Sequence, residues 1–336
     1  MGSINQIIDT SVQMYKKSPK VVVDIVGKPG EGKSDACVQI GQKLGFADER
    51  ILVVHINNHD VVDFTGVPSV TDDGMTIFNP SKMFFDFREG TGGGLIVLEE
   101  LHQSSSHHQT WAAGFMLERE TPCFKLDKDV CIIATGNRAE DRAGAKPLLG
   151  HLNDRMYHFD VDTSLDDWCE WALAHDVNPL GIAFLRLRPN LLNDYDPNRR
   201  SNPTQRSWTK LFTEIPIDMP SDLYLMACEG KVGEGAAAEW VAAKDMMAKM
   251  PNVDVIRMHP ETTETPKEPA VRYAVATSLS VTSTVDSFES DMKYVTRLPK
   301  EFAVVYLTDA LKLNPTIQTT KAFTDYAVKN ADLFKS

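Results

Sequence analysis

The stretch Gly27-Lys28-Pro29-Gly30-Glu31-Gly32-Lys33-Ser34 fits G-x-x-x-x-G-K-[ST] at every position, and it constrains this chain more than any other feature. Before it runs Val21-Val22-Val23-Asp24-Ile25-Val26, short and largely β-branched, which reads as a buried strand. After it, Asp35 to Leu44 places Ala36, Val38, Ile40 and Leu44 among polar residues and stops at Gly45, a helical pattern. Strand, loop and helix are the context the motif needs. The loop residues Pro29, Gly30, Glu31, Gly32, Lys33, Ser34 and Asp35 are expected to close around phosphate oxygens. Inward-pointing N–H groups and the positive end of the helix dipole would hold the charge. Lys33 is expected to reach the β- and γ-phosphates of ATP, and the Ser34 hydroxyl to ligate Mg²⁺. A chance glycine-rich turn would lack the lysine, the hydroxyl and the flanking elements. A dinucleotide fingerprint is disfavoured because Asp35, not glycine, stands three residues after Gly30-Glu31-Gly32.

Four later segments fit the same chemistry. Leu95-Ile96-Val97-Leu98 is an apolar strand that ends in Glu99-Glu100. Glu99 would hold Mg²⁺ through water and Glu100 would polarise the attacking water; the alternative is a strand ending in solvated charges. In Ala134-Thr135-Gly136-Asn137-Arg138, Asn137 ends a fourth strand, where its amide would orient that water or merely sit in a turn. In Leu152-Asn153-Asp154-Arg155-Met156, Arg155 lies at a domain edge and is expected to face the nucleotide of a neighbouring subunit. A finger of this kind is worth roughly 10³–10⁵ in rate. Arg138 and Arg142 are rivals for that role, and an ordinary surface ion pair is the plain alternative. In Asn202-Pro203-Thr204-Gln205-Arg206-Ser207-Trp208, Arg206 falls in the first turn of a helix. It would swing over the γ-phosphate, or remain a solvated residue beside a cap.

Around these segments the pattern is α/β and then helical. Ile4 to Tyr15 has helical spacing, Ile51 to Ile56 reads as a second strand, and Tyr157 to Val161 as a fifth. A helix is expected from His107 to Glu118, and a loop with a small hairpin over 57–87. Strands separated by helices imply a mostly parallel sheet covered on both faces. From Ser164 onward helices are expected over Leu165–His175, Leu180–Leu187, Thr204–Ile215, Gly235–Met247 and Pro299–Leu313, with a surface connection from Pro251 to Pro269. The expected division is a nucleotide-binding α/β domain over 1–175 and a helical lid with C-terminal helices over 176–336.

Composition narrows the partners. The 336 residues carry a net charge of −12, which argues against a general nucleic-acid surface. Five cysteines, an odd number with no C-x-x-C pair, suit a reduced cytoplasmic chain. No apolar run reaches the ~18 residues of a membrane span, and no signal-peptide core opens the chain. His107-His108 read as a polar helix start, Trp168 and Trp171 as packing at the domain junction. Phe64 and Phe84-Phe85 read as packing sooner than as client-gripping pore residues.

The five segments, in this order and spacing, resemble the AAA+ ATPases of the MoxR family, especially the short MoxR-like members of phage and bacterial genomes. Asp63-Phe64-Thr65-Gly66-Val67-Pro68, Gly136 through Gly144, Arg206-Ser207-Trp208 and Gly233-Glu234-Gly235-Ala236-Ala237-Ala238-Glu239 extend the likeness over nearly the whole chain. It departs at Glu99, where aspartate is usual, and at Gln205, where proline is usual. The resemblance implies an AAA+ P-loop domain followed by a helical lid, assembled as a ring, most often a hexamer. It implies ATP hydrolysis that remodels or assembles a protein client, with a von Willebrand A-domain partner. Two other readings remain open: an ATP-controlled binding switch with little or no hydrolysis, and a DNA-directed helicase or loader, which the acidic balance disfavours.

Overall fold

The structure is a computed structural model that describes residues 2–138, 148–162 and 164–329. Its contacts divide into two units, Met1–Ser164 with Tyr195–Pro197, and Leu165–Asp194 with Asn198–Ser336.

The first unit runs α1 (Ile4–Lys17), β1 (Val22–Val26), α2 (Lys33–Lys43), β2 (Ile51–His55), α3 (Val61–Thr65), β3 (Val67–Val70), β4 (Thr76–Asn79), α4 (Lys82–Phe85), β5 (Gly94–Glu99), α5 (Ser106–Glu118), β6 (Val130–Gly136), α6 (Gly150–Asn153) and β7 (Tyr157–Asp160). Five strands form one sheet in the order β2-β5-β6-β1-β7, every pair parallel. The period of two sorts their side chains onto two cores. Val23, Ile25, Leu95, Val97, Cys131 and Ile133 pack with Ile8, Val12 and Tyr15 of α1 and Cys37 and Ile40 of α2. Val22, Ile96, Leu98, Ile132 and Ala134 pack on the other face with Ala112, Phe115 and Met116 of α5. Burial on both faces is why these strands read as near-continuous apolar runs. The Tyr15 hydroxyl fixes α1 to the sheet by donating to the Ile132 carbonyl at 2.6 Å.

The expected loop over 57–87 holds the hairpin β3–β4 and two short helices. Phe64 and Phe84 are fully buried there and stack around Trp111, whereas Phe85 stays partly exposed.

The second unit is helical: α7 (Leu165–Ala174), α8 (Pro179–Leu187), α9 (Gln205–Glu214), α10 (Ser221–Val232), α11 (Glu234–Met247), α12 (Val253–Met258), α13 (Pro269–Val281), α14 (Phe288–Val295), α15 (Lys300–Leu313) and α16 (Lys321–Lys329). The division falls eleven residues before the expected 175/176, because Trp168, Cys169, Ala172 and Leu173 of α7 belong to the second unit's core. That core centres on Phe184, Trp208, Phe212 and Trp240. Trp168 also donates from its indole nitrogen to Thr209. A further core gathers Ile256, Phe288, Tyr294, Phe302 and Tyr306. Ile256 corrects the expected surface connection over 251–269: α12 interrupts it and inserts a fully buried side chain. Among the described residues, no helix is long and apolar enough to cross a membrane.

Candidate functional site

All strands of the sheet are parallel, so their C-terminal ends share one edge. Ligands of open α/β sheets bind in the crevice beyond that edge. The motif loop leaves β1 there, Glu99 and Glu100 leave β5, Asn137 leaves β6, and β6 lies between the other two.

Gly30 and Gly32 have φ of 81° and 78°, the left-handed region that glycine enters freely. Gly32 is also the N-cap residue of α2, and its carbonyl accepts the first helical bond, from Ala36 N–H at 2.9 Å. Gly27 is needed for a different reason. Glu31 is 2% exposed and folds back into the loop, where its carboxylate accepts from the Lys28 N–H at 2.6 Å. A Cβ on Gly27 would stand 2.4 Å from that carboxylate. Lys33 begins α2, and its ammonium donates to the carbonyls of Gly27 and Lys28, both at 2.8 Å, and to Asn137 Oδ1 at 3.0 Å. Two expected site residues 104 positions apart therefore meet directly.

Glu99 and Glu100 part company at the end of β5. Glu99 is 5% exposed; its Oε2 meets His55 Nδ1 at 3.0 Å, on the neighbouring strand and in register. Its Oε1 is buried and has no hydrogen-bond partner among the described residues. A buried carboxylate oxygen left unpaired is costly. It suits an acceptor for a water of a metal's shell, so Glu99 fits the outer shell of a Mg²⁺ ion. Among the described residues no group of three or more His, Cys, Asp or Glu side chains forms a metal cage.

Glu100 is exposed and left-handed, with φ 62° and ψ 29°. That conformation costs a non-glycine residue on the order of 1–3 kcal/mol, so its surroundings must enforce it. Glu100 N–H reaches Thr135 Oγ1 at 3.4 Å, Asn57 Nδ2 reaches Glu100 Oε2 at 3.4 Å, and Gln103 N–H donates to the Glu100 carbonyl at 3.0 Å. Gln103 Oε1 in turn lies 3.5 Å from the Asn137 N–H. One short turn, Leu101–Gln103, thus lies between the two residues expected to handle water.

The arginines differ in attachment. Arg155 donates to the Ala113 carbonyl of α5 at 2.7 Å. Arg138 is held on the edge of its own sheet by the Val161 carbonyl and by Asp160, 3.7 Å away. Arg142 lies outside the described residues. Arg206 is exposed in the first turn of α9, whose Thr204 cap accepts from Ser207 N–H at 3.1 Å. His108, at the start of α5, binds Ser105 Oγ and the His59 carbonyl.

Sequence reasoning passed over Asp24, His102 and His158. The signal was present in part: Asp24 is the one charge inside an apolar strand, and His102 follows the two acids. In the structure Asp24 is fully buried and both imidazoles close on it.

The fold and loop define the class: a P-loop α/β unit joined to a helical unit. No model of a known protein family matches the chain. No curated protein matches it. Among solved structures it is similar to a DNA polymerase III gamma subunit-related protein of Thermotoga maritima, at 11% identity over 91% of this chain and 99% of that one, with a TM-score of 0.38. It is similar to NtrX of Brucella abortus, at 14% identity over 76% and 67%, TM-score 0.35. A candidate ATPase of Cytophaga hutchinsonii is similar at 12% identity over 90% and 79%, TM-score 0.35. At such scores these likenesses assign neither family nor activity.

Proposed function

We propose that the chain is an ATP-hydrolysing P-loop ATPase of the AAA+ type. The observation that carries this reading is the meeting of Lys33 with Asn137 at the sheet edge, beside a strand that ends in two carboxylates. The loop N–H groups bind the phosphates, and Lys33 exchanges its loop carbonyls for the β- and γ-phosphate oxygens. Ser34 and, through water, Glu99 would hold Mg²⁺, which would supply charge neutralisation. Glu100 polarises the attacking water, Asn137 orients it, and Arg155 of a neighbouring copy completes the charge stabilisation. Arg206 reports on the γ-phosphate from the helical unit.

The motif resemblance supports a finer reading: a MoxR-like ring, most often a hexamer, that remodels or assembles a protein client with a von Willebrand A-domain partner. A second reading, an ATP-controlled switch with slow hydrolysis, is favoured by the contact between His55 and Glu99, which occupies one of the two oxygens available to a metal's water shell.

The test is ATP binding and phosphate release for the wild type and Glu100→Gln. The variant is expected to bind ATP with unchanged affinity and to turn it over roughly a hundredfold more slowly or worse. Equal turnover would remove Glu100 from its role. Binding without turnover in the wild type would favour the switch.

A further inference from the structure

A chain of three side chains, centred on a buried carboxylate, runs beneath the turn that follows Glu100, outside the residues assigned above. Asp24 points from β1 onto the face of the sheet opposite α1 and α2, and its side chain is fully enclosed. His102 Nε2 lies 3.0 Å from each of its carboxylate oxygens. His158, paired in register with Asp24 on β7, brings Nδ1 to 2.8 Å. The far nitrogen of His158, Nε2, lies 3.0 Å from the Asn153 carbonyl. Carbonyl and carboxylate oxygens only accept, so the protonated imidazolium is the form of His158 that makes both bonds. The sequence makes room for the arrangement: a Cβ on Gly136 would fall 2.1 Å from the His102 ring, so glycine there lets the imidazole cross β6 to reach Asp24.

The two ends of this chain matter. His102 is the middle residue of the Leu101–Gln103 turn, which directly follows left-handed Glu100 and whose Gln103 faces the Asn137 N–H. Asn153 lies two residues before Arg155, which is itself tied to α5. Complete burial is expensive for the Asp24 carboxylate on a sheet face otherwise filled by Val22, Ile132 and Ala134, and the two imidazoles offset that cost. A core apolar residue would serve packing alone.

We propose that His102, Asp24 and His158 are positioning residues for ATP hydrolysis: the chain fixes the turn that aims Glu100 and Gln103, and ties it to the Asn153–Arg155 segment. The proposal rests on the hydrolytic reading above. None of the three touches the phosphate loop in the described contacts, so their loss is felt in turnover and not in ATP binding.

The test uses the full chain and compares the wild type with His102→Gln, His102→Leu and His158→Leu. ATP affinity is measured by calorimetry, turnover by phosphate release, and folding by circular dichroism. Glutamine can present a donor where Nε2 stands, and leucine cannot. His102→Gln is expected to keep most of the turnover. His102→Leu is expected to lose roughly tenfold to a hundredfold in kcat with ATP affinity almost unchanged, the cost of a small misplacement of a reacting group. His158→Leu, at the sheet's edge and partly exposed, guards against a His102→Leu chain that fails to fold. It should lose kcat in the same way and to a smaller extent. Equal turnover in the wild type and both leucine variants would overturn the proposal, as would equal losses in the glutamine and leucine variants at position 102, or a loss of affinity in parallel with rate. A wild type that binds ATP and never releases phosphate would overturn the hydrolytic reading, and this proposal with it.

Discussion

Gly27 shows how one residue can be required without being strained. Its backbone is ordinary, yet the Glu31 carboxylate occupies the space its side chain would need. Gly27→Ala is therefore expected to push Glu31 out of the loop and to weaken ATP binding by roughly tenfold, since loop geometry sets where the N–H groups point. Calorimetric titration would check this, and an unchanged affinity would show that the loop adapts. The buried ion chain carries a pH signature. Burial alone would raise the Asp24 carboxyl; hydrogen bonds from the two imidazoles outweigh it and hold the group below the ordinary carboxylate range. The bond to Asp24 chiefly raises His158, against the pull of burial. Asp24 thus contributes stability above its unfolded value of about 4, lost as pH falls through its lowered folded value. His158 contributes below its unfolded value of about 6.5, lost as pH rises through its raised folded value. The difference in melting temperature between wild type and His158→Gln should be widest at about pH 4–6.5 and shrink at higher pH. A difference constant up to about pH 9 would contradict this assignment.

At the scale of elements, the five strands of the sheet are legible because double burial writes them as apolar, β-branched runs, and each begins and ends within about two residues of its expected place. Helices α1, α2, α5, α7, α8, α9, α11 and α15 are legible for the matching reason, a periodic stripe with caps. Others are not. Helix α13 carries a stripe of Val271, Val275 and Leu279, but it also buries Ala270, Ala274, Ala276, Thr277 and Ser280, and these small and polar residues dilute the stripe in the sequence. Helix α12 hides between prolines, and only the tertiary structure shows Ile256 to be fully buried. Ile256→Ala should cost about 2–5 kcal/mol of stability, read from urea unfolding of the full chain. A cost near zero would return the segment to the surface. In the site, the loop, both acids and Asn137 were legible because motif and strand end coincide. The ion chain was not, because its contacts join residues 78 and 134 positions apart, and no local pattern records that pairing.

The chain comprises a P-loop unit whose candidate site residues leave the strands at one sheet edge and a helical unit with its own cores. Among the described residues of the P-loop unit, Arg138 is held by Asp160 and the Val161 carbonyl, and Arg155 donates to the Ala113 carbonyl of α5. If Arg155 serves the site of a neighbouring copy, assembly and hydrolysis are one event. Arg155→Ala should then leave ATP affinity intact and lower turnover roughly 10³-fold or more. Mixing that variant with Glu100→Gln should restore part of the activity, because some interfaces then carry both intact groups. The most direct measurement is phosphate release per chain against protein concentration, in ATP and Mg²⁺ without any partner. Turnover per chain that climbs steeply with concentration and then levels off is the predicted result. Turnover independent of concentration would contradict a site completed between chains, and no turnover at any concentration while ATP binds would contradict the ATPase itself.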